Sequence, residues 1–170
     1  GEMLQLTGPN GSGKSSLLKL LAGLVAATAG QVSLEDGAMD LSLGQQAHYL
    51  SHADAFKTAL TVRENLEFWA AMLGGTAVDA ALETSQLRDI ADFPAAYLSA
   101  GQRRRLGLAR LALAPRPIWL LDEPTVGLDS ASQQRLQKLM HKHLSTGGLI
   151  IAATHLPLGL KPTHQLRLGG

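Results

Sequence analysis

Apolar residues in this chain gather into short runs whose period changes from one stretch to the next. Met3-Leu4-Gln5-Leu6 reads as a short buried strand, and Leu17-Leu18-Lys19-Leu20-Leu21-Ala22 as a helix with a wide apolar stripe that stops near Gly23. Gln31-Val32-Ser33-Leu34 alternates like a half-exposed strand and meets a turn signal at Glu35-Asp36-Gly37. Residues 38–46 carry no clear period; Ala47-His48-Tyr49-Leu50 predicts another strand, leading into a loop over 51–57. Thr61-Val62-Arg63-Glu64 has the form of a capping box, with Glu64 three residues after Thr61. Leu66, Phe68, Trp69 and Met72 continue that helix to Gly74-Gly75. A second helix over 77–87 and a short segment over 87–97, broken at Pro94, complete a helical insertion of about 58–97. A longer amphipathic helix over 98–114 follows, its apolar residues Leu106, Leu108, Leu111 and Leu113, and Pro115 ends it. Arg103, Arg104 and Arg105 read mostly as its solvated face.

Ile118-Trp119-Leu120-Leu121 and Leu149-Ile150-Ile151-Ala152-Ala153 lack alternation, as strands covered on both faces do. A polar-rich helix over 130–144 separates them. Strands alternating with helices predict an α/β fold, a mainly parallel sheet with helices on both faces. Ligand-binding groups in such sheets collect beyond the carboxyl ends of the strands. Lys14, Asp122, Glu123 and His155 all fall just past predicted strand ends.

Gly8-Pro9-Asn10-Gly11-Ser12-Gly13-Lys14-Ser15 supplies the chemistry that the pattern leaves open. It fits G-x-x-x-x-G-K-[ST], a phosphate-binding loop between a strand and a helix. Glycines at 8, 11 and 13 permit backbone conformations that a Cβ blocks, so N–H groups converge on a polyphosphate at the positive end of a helix. Lys14 places a charge on the β- and γ-phosphates, and Ser15 offers a hydroxyl to Mg²⁺; Ser16 continues the binding stretch. Asp122 ends an apolar strand, as an acidic residue that holds Mg²⁺ directly or through water would. Adjacent residues at a strand end diverge, so one carboxylate can serve the metal while Glu123 polarises an attacking water, the alternatives being a loop carboxylate or a second metal ligand. His155 follows a second buried strand and suits a bond to the γ-phosphate and that water. Leu98-Ser99-Ala100-Gly101-Gln102 opens a helix with a hydroxyl and glycine N–H groups, a second anion-reading element. Two such elements and one hydrolytic set suggest that one copy completes the site of another.

Length and charge narrow the field. At 170 residues the chain is one domain by size, long enough for a core, and its 45% apolar but 4% aromatic content makes that core mostly Leu, Ala, Val and Ile. A net charge of +1 from 15 basic and 14 acidic residues gives no electrostatic footprint for nucleic acid. There is no cysteine, which excludes disulfides and thiolate metal sites. No apolar run reaches the roughly 18 residues of a membrane span. The chain opens one strand before the loop and closes on Gly169-Gly170 after a short strand, which reads as a domain trimmed at both ends.

Taken in order, these motifs resemble those of the ATP-binding cassette ATPases. Gly8 to Ser15 is similar to the Walker A loop, Leu98 to Gln102 to the LSGGQ signature with Ala100 in place of a Gly, and Ile118 to Glu123 to Walker B. Gly127-Leu128-Asp129 resembles the D-loop and His155 the switch histidine. The resemblance spans nearly the whole chain. It implies a P-loop NTPase fold with an inserted helical subdomain and a head-to-tail dimer with two ATP molecules. Each ATP would lie between Walker A of one subunit and Ser99, Gly101 and Gln102 of the other. A narrower resemblance, carried by residues 49–66 and by His155-Leu156-Pro157-Leu158, is to the haem-exporter cassettes of cytochrome c maturation. Most cassettes have a Gln where this chain has His52; His52 reads either as a partner for a metal-bound water or as an exposed loop residue. The aromatic that stacks on adenine in the family precedes the loop, and the resemblance places it upstream of Gly1.

The resemblance therefore implies an ATPase at the cytoplasmic face of the inner membrane. It would dimerise on ATP and drive integral membrane subunits, with residues 51–57 and 58–97 as the docking surface and Phe56, Phe68 and Trp69 as candidate contacts. A soluble cassette acting on nucleic acid or ribosomes would carry basic patches or long insertions, and a scaffold without turnover would not keep Lys14, Asp122, Glu123 and His155.

Overall fold

The computed structural model describes residues 1–51 and 55–169. The chain divides into two compact units, Gly1–His52 with Arg116–Pro124 and Leu139–Gly170, and Ala53–Pro115 with Thr125–Lys138.

The first unit is built on a five-stranded sheet of β1 (Met3–Thr7), β2 (Ala47–Leu50), β3 (Ile118–Asp122), β4 (Leu149–Ala153) and β5 (His164–Arg167). The order is β2-β3-β4-β1-β5, and every pair is parallel. Helix α1 (Lys14–Leu21) covers one face, where Leu18 meets Leu6, Ala47, Ile118, Leu120 and Ala153. Alternate positions point the other way. There the Trp119 ring stacks on His143, from the last turn of α5 (Ser130–Ser145), at a centroid distance of 4.0 Å and 9° between planes. All five residues of β3 are buried, which is why that run shows no polar alternation.

One expectation for this unit fails, and one stretch without a period finds its structure. Gln31-Val32-Ser33-Leu34 forms no strand: it pairs with no other described segment, and Val32 is exposed. Alternation gives a strand a face, but a ladder needs a neighbouring backbone. Residues 38–46 are closed instead by one side chain. Gln46 accepts from the Ala38 amide at 2.7 Å and donates to the Ala38 and Leu41 carbonyls at 3.2 and 3.1 Å.

The second unit is helical. Helix α2 (Val62–Leu73) starts at a complete capping box: Thr61 Oγ1 accepts from Glu64 N at 3.1 Å, and Thr61 N donates to Glu64 Oε2 at 2.7 Å. It ends at Gly74, where φ is 72°. Helix α3 (Val78–Thr84) is shorter than the pattern implies, and two single 3₁₀ turns, Arg88–Ile90 and Ala95–Tyr97, replace the third segment. Helix α4 (Ala100–Ala109) tightens into a 3₁₀ turn, Arg110–Ala112, short of Pro115. Val62, Leu66, Ala81, Leu82, Leu98 and Leu106 centre the core of this unit.

The three arginines of α4 are not a solvated face. Arg104 is buried, and Arg105 donates to the Ser85 and Gln86 carbonyls at 3.4 and 3.3 Å, closing the end of α3. Only Arg103 is exposed, and its Nε donates back to the Leu98 carbonyl at 2.9 Å. Further along, the Arg110 guanidinium lies 3.5 Å over the Trp69 ring, and burial pushes its pKa down to about 10. Phe68 meets Trp69 edge-on at 5.6 Å, with Lys57 Nζ 4.2 Å from its centroid. Among the described residues no helix is long and apolar enough to cross a membrane.

Candidate active site

Register brings the candidate hydrolytic residues together. β4 lies between β1 and β3, with Ala153 opposite Leu6 on one side and Asp122 on the other. The segments that leave these three neighbouring strands at their carboxyl ends are the Gly8–Ser15 loop, Glu123, and Thr154-His155. They line one cleft of ≈ 370 Å³. Asn10, Gly11, Gly13, Lys14, Ser15 and Ser16 form one wall, and Asp122, Glu123 and His155 the other.

The loop has the backbone that its glycines allow. Gly8, Gly11 and Gly13 sit at φ 137°, 81° and 96°. Gly13 is also the N-cap of α1, so the first N–H groups of that helix face the cleft without intrahelical partners. Ser12 N donates to the Pro9 carbonyl at 3.2 Å, closing a turn inside the loop. Lys14 is buried at 8% exposure, and its Nζ donates to the Gly8 and Pro9 carbonyls at 2.8 and 2.9 Å. The ammonium is thereby held within the curve of the loop, at the mouth of the helix.

Glu123 adopts φ 46°, a left-handed conformation unusual for a residue with a Cβ. Its N–H donates to the Ala153 carbonyl at 2.8 Å, which extends the β3–β4 ladder by one bond and fixes the turn. Asp122 keeps the strand direction and is buried; Glu123 departs from it and is partly open to the cleft. After β4, Thr154 Oγ1 accepts from Leu156 N at 3.0 Å, and this turn leaves the His155 ring about half exposed. His155 Nε2 lies 3.9 Å from Glu123 Oε1, beyond direct hydrogen-bond range and suited to sharing a water or a phosphate oxygen.

Ser99, Gly101 and Gln102 belong to the second unit. Ser99 is the N-cap of α4: its Oγ accepts from Gln102 N at 3.3 Å, and Gln102 Oε1 accepts from Ser99 N at 2.8 Å. The Gln102 side chain thus caps its own helix, and the Ala100 and Gly101 N–H groups of the first turn have no partner within the helix. Asp129 caps α5 in the same way, accepting from Ser132 N at 2.7 Å; the Ser132 bonds hold its carboxyl below the usual range. His52 lies outside the described residues.

Two further buried polar groups, one in each unit, carry no sequence motif. Tyr49, on the strand beside β3, has a buried hydroxyl, and burial, with the Asp122 charge, raises its pKa. Asn65 is buried at 1% exposure and ties down the loop before α2. Its Oδ1 accepts from Lys57 N at 2.7 Å, and its Nδ2 donates to the Lys57, Leu60 and Thr61 carbonyls at 2.9, 3.3 and 2.8 Å. The available signal was a polar residue on the apolar stripe, one position past Glu64.

A phosphate loop facing a strand-end carboxylate pair and a histidine is the apparatus of a nucleotide hydrolase, and the match to known proteins specifies which kind. The chain belongs to the ABC transporter family, whose model matches residues 1–126, and it is an ATP-hydrolysing member. It is 55% identical to the cytochrome c biogenesis ATP-binding export protein CcmA of Nitrobacter winogradskyi, over 100% of this chain and 86% of that protein. It is 54% identical to the CcmA of Rhodopseudomonas palustris, over 99% of this chain and 85% of the relative. Among solved structures, an ATP-binding subunit of an ABC transporter superposes with a TM-score of 0.87 at 23% identity, covering 98% of this chain and 74% of the other. A dimeric ATP-binding cassette in a post-hydrolysis state, bound to ADP and Pi, gives 0.83 at 24% identity, covering 98% and 81%. These two likenesses establish the P-loop α/β fold.

Proposed function

We propose that this chain is the ATPase subunit of an exporter serving cytochrome c biogenesis, a pair of copies closing on ATP to drive integral membrane subunits. The observation that carries this is the identity of 55% over 100% of the chain to a CcmA export protein, together with a complete hydrolytic wall in the cleft. Haem is the cargo: a c-type cytochrome holds haem through a C-x-x-C-H motif, so its maturation needs haem delivered to the protein. The subunit sits on the cytoplasmic face of the cell membrane, where ATP is available.

The residues take roles by position. N–H groups of Asn10, Gly11, Gly13, Ser15 and Ser16 cradle the phosphates, and Lys14 neutralises the β- and γ-oxygens. Ser15 and Asp122 offer oxygen donors, the kind Mg²⁺ takes. Bound there, Mg²⁺ would screen charge on the β- and γ-phosphates. Glu123 accepts a proton as water oxygen attacks the γ-phosphorus, and the bond to the ADP oxygen breaks. His155 orients that water and the γ-phosphate. Ser99, Gly101 and Gln102 of a second copy close the site head-to-tail, which suits the anion-binding character of a helix N-terminus. The loop before α2 and residues 58–97, with Phe56, Phe68 and Trp69, form the docking surface for the membrane subunits.

The experiment replaces the chromosomal gene by the Lys14→Ala variant and stains c-type cytochromes for haem. Loss of staining with the variant protein still present is expected. Normal staining would overturn the assignment to cytochrome c biogenesis.

A further inference from the structure

We propose that Gly169, with the Leu168 carbonyl, positions the phosphate loop for nucleotide, so that the exit of β5 determines the ATP affinity of the site. The inference rests on reading Gly8–Ser15 as the phosphate loop. β5 runs beside β1 with Arg167 opposite Thr7, and Leu168 N donates to the Thr7 carbonyl at 2.9 Å. The chain leaving β5 is therefore fastened at the residue where the loop begins.

The loop then comes against it with no side chain between. A Cβ on Gly8 would lie 2.3 Å from the Leu168 carbonyl oxygen. From the opposite side, a Cβ on Gly169, at φ 73°, would lie 2.9 Å from Ser12 Cβ and 3.7 Å from Pro9 Cγ. Gly11 and Gly13 differ: a Cβ on either meets nothing within 4 Å, so those positions need glycine for conformation alone. Gly8 and Gly169 need it also for room. Ser12 Oγ is buried with no hydrogen-bond partner among the described residues, so shape and its backbone, not its hydroxyl, hold Ser12 in place.

The consequence runs to the ammonium. The Gly8 and Pro9 carbonyls accept from Lys14 Nζ, and the Pro9 carbonyl also accepts from Ser12 N. A side chain at 169 pushes Ser12, and through the Ser12 N–H bond to the Pro9 carbonyl it disturbs an acceptor that sets where Lys14 points. Gly169 touches no reacting atom; it acts through the loop.

The test measures steady-state ATP hydrolysis and melting temperature of full-length G169A and S12G, singly and combined, with K14A as the control for the loop. G169A should raise KM for ATP about five- to tenfold and leave kcat within about twofold, because ground-state binding is what the loop shape governs. In the S12G background, where the opposing Cβ is gone, the same change should raise KM less than about twofold. Backbone strain alone would lower the melting temperature and act equally in both backgrounds, and that result overturns the proposal. If G169A does not fold, G169N takes its place, since Asn tolerates a left-handed φ while carrying the same Cβ. An unchanged KM in G169N overturns the proposal. K14A hydrolysing ATP normally would overturn the phosphate-loop reading itself, whereas a dead K14A beside a normal G169A overturns only the role of Gly169.

Discussion

His155 Nε2 stands 3.9 Å from Glu123 Oε1, with Glu123 held off the strand direction by its left-handed backbone. That spacing suits a water shared by the carboxylate and the histidine. Glu123→Gln keeps the shape and removes the proton acceptor. Phosphate release should fall by about 10²- to 10⁴-fold while ATP binding persists, so ATP-bound dimers accumulate. Gel filtration with ATP and Mg²⁺ checks this: only monomer, or turnover near wild type, would count against Glu123 as base.

Ser99 separates a structural role from a functional one. Its hydroxyl caps α4, and losing such a cap costs about 1 kcal/mol of stability. If Ser99 also contacts ATP across a dimer, Ser99→Ala should leave ATP binding by the monomer intact and lower turnover at least about tenfold. Ser99→Asp keeps a cap but sets a carboxylate against phosphate, so it should abolish turnover with little loss of melting temperature. An active Ser99→Asp variant would show that the residue only caps.

The Trp119–His143 stack makes stability depend on pH. Burial pushes the His143 pKa below its ordinary value, so the folded chain keeps the ring neutral, with Nε2 at 3.3 Å from the Leu149 carbonyl. The unfolded chain takes up that proton as pH falls through about 6.5. Below that pH the unfolded state binds more protons, so the contribution of His143 is present above about pH 6.5 and is lost as pH falls towards the folded value. His143→Phe retains the aromatic stack and does not titrate. Thermal melts between about pH 7.5 and 5.5 should show a shallower acid loss in the variant than in the wild type; parallel curves would be evidence that the ring is equally protonated in both states.

What could be read from the sequence was local. The Thr61–Glu64 box, the Ser99–Gln102 box and the glycine loop are complete within a few residues, and their signals name the atoms that bond. β3 announces itself because burial on both faces removes polar residues. Distant partners were hidden. Val32-Ser33-Leu34 alternates correctly but has no described strand beside it. Arg104 and Arg105 look like solvent residues until the end of α3, some twenty positions earlier, takes the Arg105 donors. The meeting of Gly169 with Ser12 joins residues more than 150 positions apart, which no window along the chain reveals.

Asn65 offers a way to separate hydrolysis from transport. One buried amide makes four hydrogen bonds to the loop that precedes α2, and that loop lies in the proposed docking surface. Asn65→Asp preserves size and the acceptor for Lys57 N, but turns the donor into a second oxygen facing three carbonyls. The Lys57, Leu60 and Thr61 carbonyls each lose the Asn65 donor and keep only a backbone one, from Leu60 N, Ala95 N and residue 65 N, and an ionised carboxylate there is buried against them, so the carboxyl is driven towards its neutral form. The expected cost is about 2 kcal/mol or more, read as a lower melting temperature. The phosphate cleft uses none of these atoms, so ATP hydrolysis by purified protein below its melting temperature should stay within about threefold of wild type. Co-purification with membrane subunits and haem staining of c-type cytochromes should fall together. Wild-type staining with the loop weakened would mean that the membrane subunits dock elsewhere, and loss of hydrolysis in a still-folded variant would mean that the loop supports the cleft itself.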